Sequence, residues 1–203
     1  MKSIKLEGRK LYPSKIVCIG QNYVEHIKEL GNEIPSQPVF FLKPNSAISD
    51  EVCAGGQDVV HHEAEISFIV MNGELAAVGF GLDLTKREVQ TSLREKGLPW
   101  ERSKAFDGSA IFSDFVKLGV GLADLRLQMH INDRLVQEGG YDLMMNKPME
   151  ILAEAVSFLS LEDGDVIMTG TPKGVGPIQA GDRFSGKIFS VNVPLVEAHW
   201  TVK

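Results

Sequence analysis

The chain carries its apolar residues in short runs separated by glycine, proline and asparagine, a spacing that predicts more strands than helices. Residues 15–20 (Lys-Ile-Val-Cys-Ile-Gly) read as a buried strand. Asn22 is then placed to cap a helix over 23–30, which Gly31-Asn32 stops. Residues 38–44 form a second apolar strand with one charge, Lys43, and the polar, Gly-rich stretch 45–59 reads as a loop. A third strand spans 60–70 and closes at Asn72-Gly73. Residues 75–84 are again apolar, with Asp83 as their sole charge. Thr85 opens a helical segment over 86–96 that ends at Gly97 and Pro99, and 99–108 has no period and reads as a loop. Residues 125–131 alternate apolar and polar and pair with 134–137 across Asn132-Asp133, residues that tolerate the positive φ of a hairpin turn. Pro148 starts a helix with apolar positions at Ile151, Leu152, Ala155, Val156 and Leu159. Residues 166–168 form a strand, 169–176 a loop rich in Gly and Thr, and 181–189 and 195–202 further strand-like pieces. No repeat or linker divides the chain, so residues 1–203 form one domain, α+β and rich in sheet.

Charges that interrupt this pattern are the candidate chemistry. In the 60–70 strand, alternation sends Glu63 and Glu65 to one face, with His61 beside them. Two like charges there need a counter-charge or open water, and a solvated edge strand satisfies that as well as a metal does. Lys43 can snorkel to water or mark an anion pocket. Asp83 can serve as a helix N-terminal carboxylate. His26 and Glu29 sit three apart on their helix, close enough for the acid to orient the imidazole, and Arg87 and Gln90 share a face in the same way. The loop 169–176 offers N–H and hydroxyl donors to an anionic group, or is a plain surface turn.

Composition narrows the class. At 203 residues, 43% hydrophobic and 24% charged, the chain is an ordinary globular protein, and its net charge of −6 argues against a nucleic-acid binder. No apolar run reaches the roughly 18 residues a membrane helix needs. The N-terminus lacks an apolar signal core, and two cysteines, Cys18 and Cys53, make no disulfide framework, so a cytoplasmic protein is expected. The carboxylates Glu63, Glu65 and Asp83 form an all-oxygen set suited to a hard cation, Mg2+ or Mn2+, in preference to zinc. His61-His62-Glu63 has no zinc-protease spacing.

Taken in order, the motifs Cys18-Ile19-Gly20-Gln21-Asn22-Tyr23, Phe41-Leu42-Lys43-Pro44, His61-His62-Glu63-Ala64-Glu65, Leu82-Asp83-Leu84-Thr85-Lys86-Arg87, Gly97-Leu98-Pro99-Trp100, Leu161-Glu162-Asp163-Gly164-Asp165 and Thr169-Gly170-Thr171-Pro172-Lys173-Gly174 cover nearly the whole chain. Together they resemble the fumarylacetoacetate hydrolase family, and within it the acylpyruvate hydrolase branch. The resemblance implies a sheet-rich mixed β-sandwich or roll with few short helices, usually a homodimer, holding Mg2+ or Mn2+ on Glu63, Glu65 and Asp83. It implies that His26 is a base oriented by Glu29 on a lid helix, and that Lys104 and Gln90 act beside them. Tyr23, Arg87, Lys43 and Thr171 fall at substrate-contacting positions, Thr171 as the holder of a carboxylate. The implied activity is cleavage of the C–C bond of small acylpyruvates (2,4-dioxo acids), with His26 activating water and a pyruvate enolate leaving. The alternative is an isomerase, tautomerase or decarboxylase acting on oxaloacetate or a related 2-oxo diacid at the same metal. The base pair ranks hydrolysis first, because an enolising site does not require a positioned water. Three departures from the family stand out: Gln21 where Arg is common, a short segment between Ile69 and Asp83, and Asp107-Gly108-Ser109-Ala110 where a Cys-Pro pair is more usual.

Overall fold

In the computed structural model, which describes all 203 residues, alternation along two central strands sets the architecture. On the strand Ala64–Met71, Ile66, Phe68 and Val70 enter the larger core, while Ile69 joins a smaller core on the opposite face. The strand Glu74–Asp83 pairs with it antiparallel and sets Gly81 opposite Glu65 and Gly79 opposite Ser67. A side chain at Gly81 would overlap the Ser67 hydroxyl, so glycine permits the close approach.

These two strands lie inside an eight-stranded mixed sheet. Its order is Val39–Pro44, Lys15–Gly20, Val166–Met168, Ala64–Met71, Glu74–Asp83, Ala110–Phe112 and Ile48–Ser49, with Val116–Lys117 also pairing to Glu74–Asp83. Lys15–Gly20 runs parallel to Val166–Met168 and sends Val17 and Ile19 to one core, Ile16 and Cys18 to the other. A four-stranded antiparallel sheet, Arg134–Gly140, Leu125–Ile131, Arg183–Ser190 and Val193–Thr201, packs against it. Phe80 crosses that interface to reach Gly186, where a Cβ would lie 2.5 Å from its ring, and stacks on Trp200 with centroids 6.0 Å apart. A small three-stranded sheet joins Gly176–Pro177, Val60–His62 and Thr85–Lys86. Four short helices complete the fold: α1 (Val24–Glu29), α2 (Arg87–Glu95), α3 (Glu101–Lys104) and α4 (Pro148–Phe158). The sheet-rich α+β architecture is the one expected. No helix is long and apolar enough to cross a membrane.

Several local expectations change. The 60–70 strand breaks at Glu63: Val60–His62 joins the small sheet and Ala64–Met71 the large one. Asn22 does not cap α1, whose cap position is Tyr23. Its amide instead donates to Asn146 O and Thr169 O and accepts from Asn146 N. Thr85 pairs with His61 in the small sheet, so α2 begins at Arg87. The stretch 99–108 contains α3, and 45–59 contains the two-residue strand Ile48–Ser49. The hairpin and the helix from Pro148 form as expected, with Asn132 and Asp133 at φ 51° and 67°.

Candidate active site

The break at Glu63 builds the site. Asp83 N donates to Glu63 O at 2.8 Å, which holds the ends of the two central strands together and brings three acids to one point. Oxygens of Glu63, Glu65 and Asp83 lie within 4.8 Å of one another, all buried. At that spacing each pair of ionised carboxylates repels by about 3 kcal/mol at an effective dielectric of about 20. Asp83 therefore does not act as a helix N-terminal carboxylate. Lys104 Nζ, at the end of α3, donates to Asp83 Oδ2 (2.6 Å), Glu63 Oε2 (2.7 Å) and Thr85 Oγ1 (2.7 Å). Lys43 does not reach solvent: it is fully buried, donates to Lys104 O and places its ammonium 2.8 Å from Asp83 Oδ1, off the angle of a hydrogen bond.

The charges are unevenly compensated. For Glu63, burial works upward, but Lys104, Arg87 and His26 outweigh it and hold the carboxyl well below its ordinary range. For Glu65, burial and then the neighbouring Asp83 and Glu63 push the carboxyl well above it, with the charge of Lys104 and one N–H, from Gly170 at 2.7 Å, working the other way. A divalent cation among the three oxygens would supply the missing charge. The donor set is hard and all oxygen, Asp83 Oδ1 has no hydrogen bond, and the trio fits Mg2+ or Mn2+.

Above the acids, α1 presents His26. Its Nδ1 lies 3.3 Å from Glu29 Oε2, and Glu29 in turn accepts from Gly174 N at 2.9 and 3.1 Å. The carboxylate fixes the proton on Nδ1 and leaves Nε2 free to accept. Burial lowers the His26 pKa, countered by the charge of Glu63 and the bond to Glu29, so the ring favours its neutral form. Arg87 donates to Glu63 and, at 2.6 Å, to Gln90 Oε1. Trp100 walls the pocket, and a Cβ at Gly20 would meet its ring at 3.2 Å. The pocket gathers His26, Glu63, Arg87, Gln90 and Lys104, and behind this lining Asp83 joins Lys104 to Lys43 and, with Glu65, completes the acid trio.

Other expected residues are placed differently. The Thr171 hydroxyl is committed to the framework, donating to Ala64 O (2.9 Å) and accepting from Gln137 Nε2 (2.8 Å). The donors of the 169–176 loop serve the protein's own acids, Gly170 for Glu65 and Gly174 for Glu29. Tyr23 is buried with an unpaired hydroxyl, and burial followed by the Glu65 charge pushes that phenol up. His61 is not drawn into the trio; its Nδ1 is buried without a partner. One residue was missed. Gln137 is buried, accepts from Ala64 N between the two Glu and contacts His62 Nδ1, both at 3.0 Å, while its amide donates to Thr171 and Pro172. A glutamine beside Glu138 in an edge strand gives no warning of that.

Comparison with known proteins agrees with this geometry. The chain is 38% identical over 193 residues to oxaloacetate tautomerase YcgM of Escherichia coli, covering 86% of this chain and 88% of that one. It is 36% identical to the mitochondrial oxaloacetate tautomerase FAHD1 of Bos taurus, covering 87% of each. A crystal structure of fumarylpyruvate hydrolase from Pseudomonas aeruginosa with Mn2+ and pyruvate superposes with a TM-score of 0.87 at 28% identity, over 98% of this chain and 94% of that one. The family described as fumarylacetoacetate (FAA) hydrolase C-terminal matches residues 15–195. The chain belongs to the fumarylacetoacetate hydrolase family.

Proposed function

We propose that the protein is a divalent-metal-dependent oxaloacetate tautomerase, interconverting the keto and enol forms of this 2-oxo diacid. The observation that carries the reading is the buried trio Glu63, Glu65 and Asp83 with Lys104 hard against it. The relatives named as oxaloacetate tautomerases, at 36–38% identity, support tautomerisation over hydrolysis, reversing the order in which the residues alone ranked the two. Mg2+ or Mn2+ on the trio would supply Lewis-acid polarisation of the substrate's 2-oxo group. The neutral His26, with Nε2 free, takes a proton from C3 and delivers it to the enolate oxygen to give the enol, and the same two transfers in reverse order restore the keto form. Glu29 holds the ring in that tautomer and, through Gly174, ties α1 to the loop after Val166–Met168. Lys104 keeps a fixed positive charge beside the oxygen that becomes enolic. Arg87 and Gln90 hold each other and line the wall.

A second reading is hydrolysis of an acylpyruvate, favoured by one observation: an imidazole backed by a carboxylate is equally able to activate water. Assaying oxaloacetate enol-to-keto conversion and acetylpyruvate cleavage side by side, with Mg2+ and with EDTA, separates the two. The expected result is metal-dependent conversion of oxaloacetate at a kcat/KM well above that for acetylpyruvate, with His26→Ala lowering it by roughly a hundredfold or more. Faster acetylpyruvate cleavage would install hydrolysis instead, and metal-independent turnover would remove the trio from the account.

A further inference from the structure

The pocket under α1 holds one positive charge that its own acids leave unmatched. Of the cations lining it, Arg87 pairs with Glu63, and Lys104 pairs with Glu63 and Asp83. Arg94, near the end of α2, pairs with no carboxylate. Its guanidinium donates to the neutral Asn32 Oδ1 and is exposed at the pocket's outer end. Gln21 lines the same pocket. Its side-chain amide makes no hydrogen bond, and its backbone sits at φ 57°, a strained conformation for a residue with a side chain and one that recurs at binding sites.

A 2-oxo diacid has two ends. The carboxylate beside the oxo group would go toward the cation that Glu63, Glu65 and Asp83 could hold, and the second extends outward. Arg87 and Lys104 are each tied to an acid, so the outer carboxylate meets a cation with no carboxylate partner only at Arg94. A carboxylate meets a guanidinium through two parallel bonds and a full opposite charge, where Asn32 offers a single uncharged oxygen, and so displaces that acceptor. The pocket is narrow, near 30 Å³, and Asn32 lies in the segment after α1. Substrate entry therefore requires this outer end to part, and the exchange of Asn32 for substrate at Arg94 accompanies it.

We propose that Arg94, assisted by the Gln21 amide, is the subsite for the distal carboxylate and selects 2-oxo diacids over 2-oxo monoacids. This rests on the tautomerase reading. The test measures deuterium incorporation at C3 of oxaloacetate and of 2-oxobutyrate by the Mg2+-loaded wild type, Arg94→Met and Arg94→Lys. Calorimetric binding of both acids is measured in parallel. Arg94→Met is expected to raise the KM and Kd for oxaloacetate about tenfold or more, the factor one charge-assisted bond carries. The loss falls on KM with kcat little changed, 2-oxobutyrate is indifferent to the substitution, and Arg94→Lys recovers part of the diacid affinity. Unchanged oxaloacetate KM and Kd in Arg94→Met overturn the subsite while leaving the tautomerase reading intact. Absent turnover with an Arg94-dependent preference for binding the diacid removes the reading and keeps the subsite.

Discussion

Asp165 and Glu65 are both buried acids on adjacent strands of the large sheet, and their surroundings are opposite. Asp165, just before Val166–Met168, accepts five hydrogen bonds: from Ser14 N and Oγ and Lys15 N on one oxygen, and from Lys15 Nζ and Glu162 N on the other. Burial works upward on its carboxyl, but the Lys15 side chain, the Glu162 N–H and the Ser14 hydroxyl outweigh it and hold it below its ordinary range. Glu65 accepts one bond, from Gly170, and faces two other acids. A buried acid with a complete shell of donors stabilises the fold. A buried acid left short of donors among like charges opposes it and is retained for something that binds there.

The largest effect should come from breaking the under-served acid. Glu65→Gln removes a ligand, and in the metal-free protein the repulsion from Asp83 and Glu63 that it relieves exceeds the attraction to Lys104 that it gives up. We expect activity to fall about a thousandfold, the several kcal/mol that a Lewis-acid cation contributes, while metal-free thermal stability is not lowered. A steady-state assay paired with a melt in EDTA checks both. Marked destabilisation would place Glu65 with Asp165 as a structural acid.

Asp165→Asn is the converse and a smaller effect. It turns an acceptor into a donor among donors and should cost about 2–3 kcal/mol in denaturant unfolding, with kcat unchanged. The loss depends on pH. Because the folded protein holds this carboxyl below its unfolded value, the unfolded chain binds the proton more readily, and acid favours unfolding. The contribution is full above about pH 4 and disappears as pH falls through the lowered folded value, so the variant's acid limb should be flatter. A constant difference from wild type across that range would show that Asp165 acts through packing and not through charge.

The two regions were unequally legible in the sequence. Glu63, Glu65 and Asp83 announced themselves as charges inside apolar runs, and the Asn132-Asp133 hairpin and the helix from Pro148 follow from local turn and cap chemistry. What alternation concealed was the break at Glu63. A run of strand-forming residues looks the same whether it serves one sheet or two, and only pairing of Val60–His62 with Thr85–Lys86 divides it. Long-range polar contacts were equally hidden. Asn22 meets Asn146 across 124 positions and Gln137 meets His62 across 75, separations at which no local pattern reports a partner. Lys43 reads as a strand-end lysine that either reaches water or marks an anion pocket, and its burial is matched by the charge of Asp83, placed beside it by the fold.

Titrating Mg2+ into metal-free wild type and Glu65→Gln, by calorimetry and by the shift in melting temperature, tests the central claim most directly. Wild type should bind one equivalent and melt higher, with about 2.7 kcal/mol of added stability at a hundredfold excess over Kd, and Glu65→Gln should show neither response. Equal binding by the two proteins, or no binding by wild type, would contradict the assignment of Glu63, Glu65 and Asp83 as a cation site.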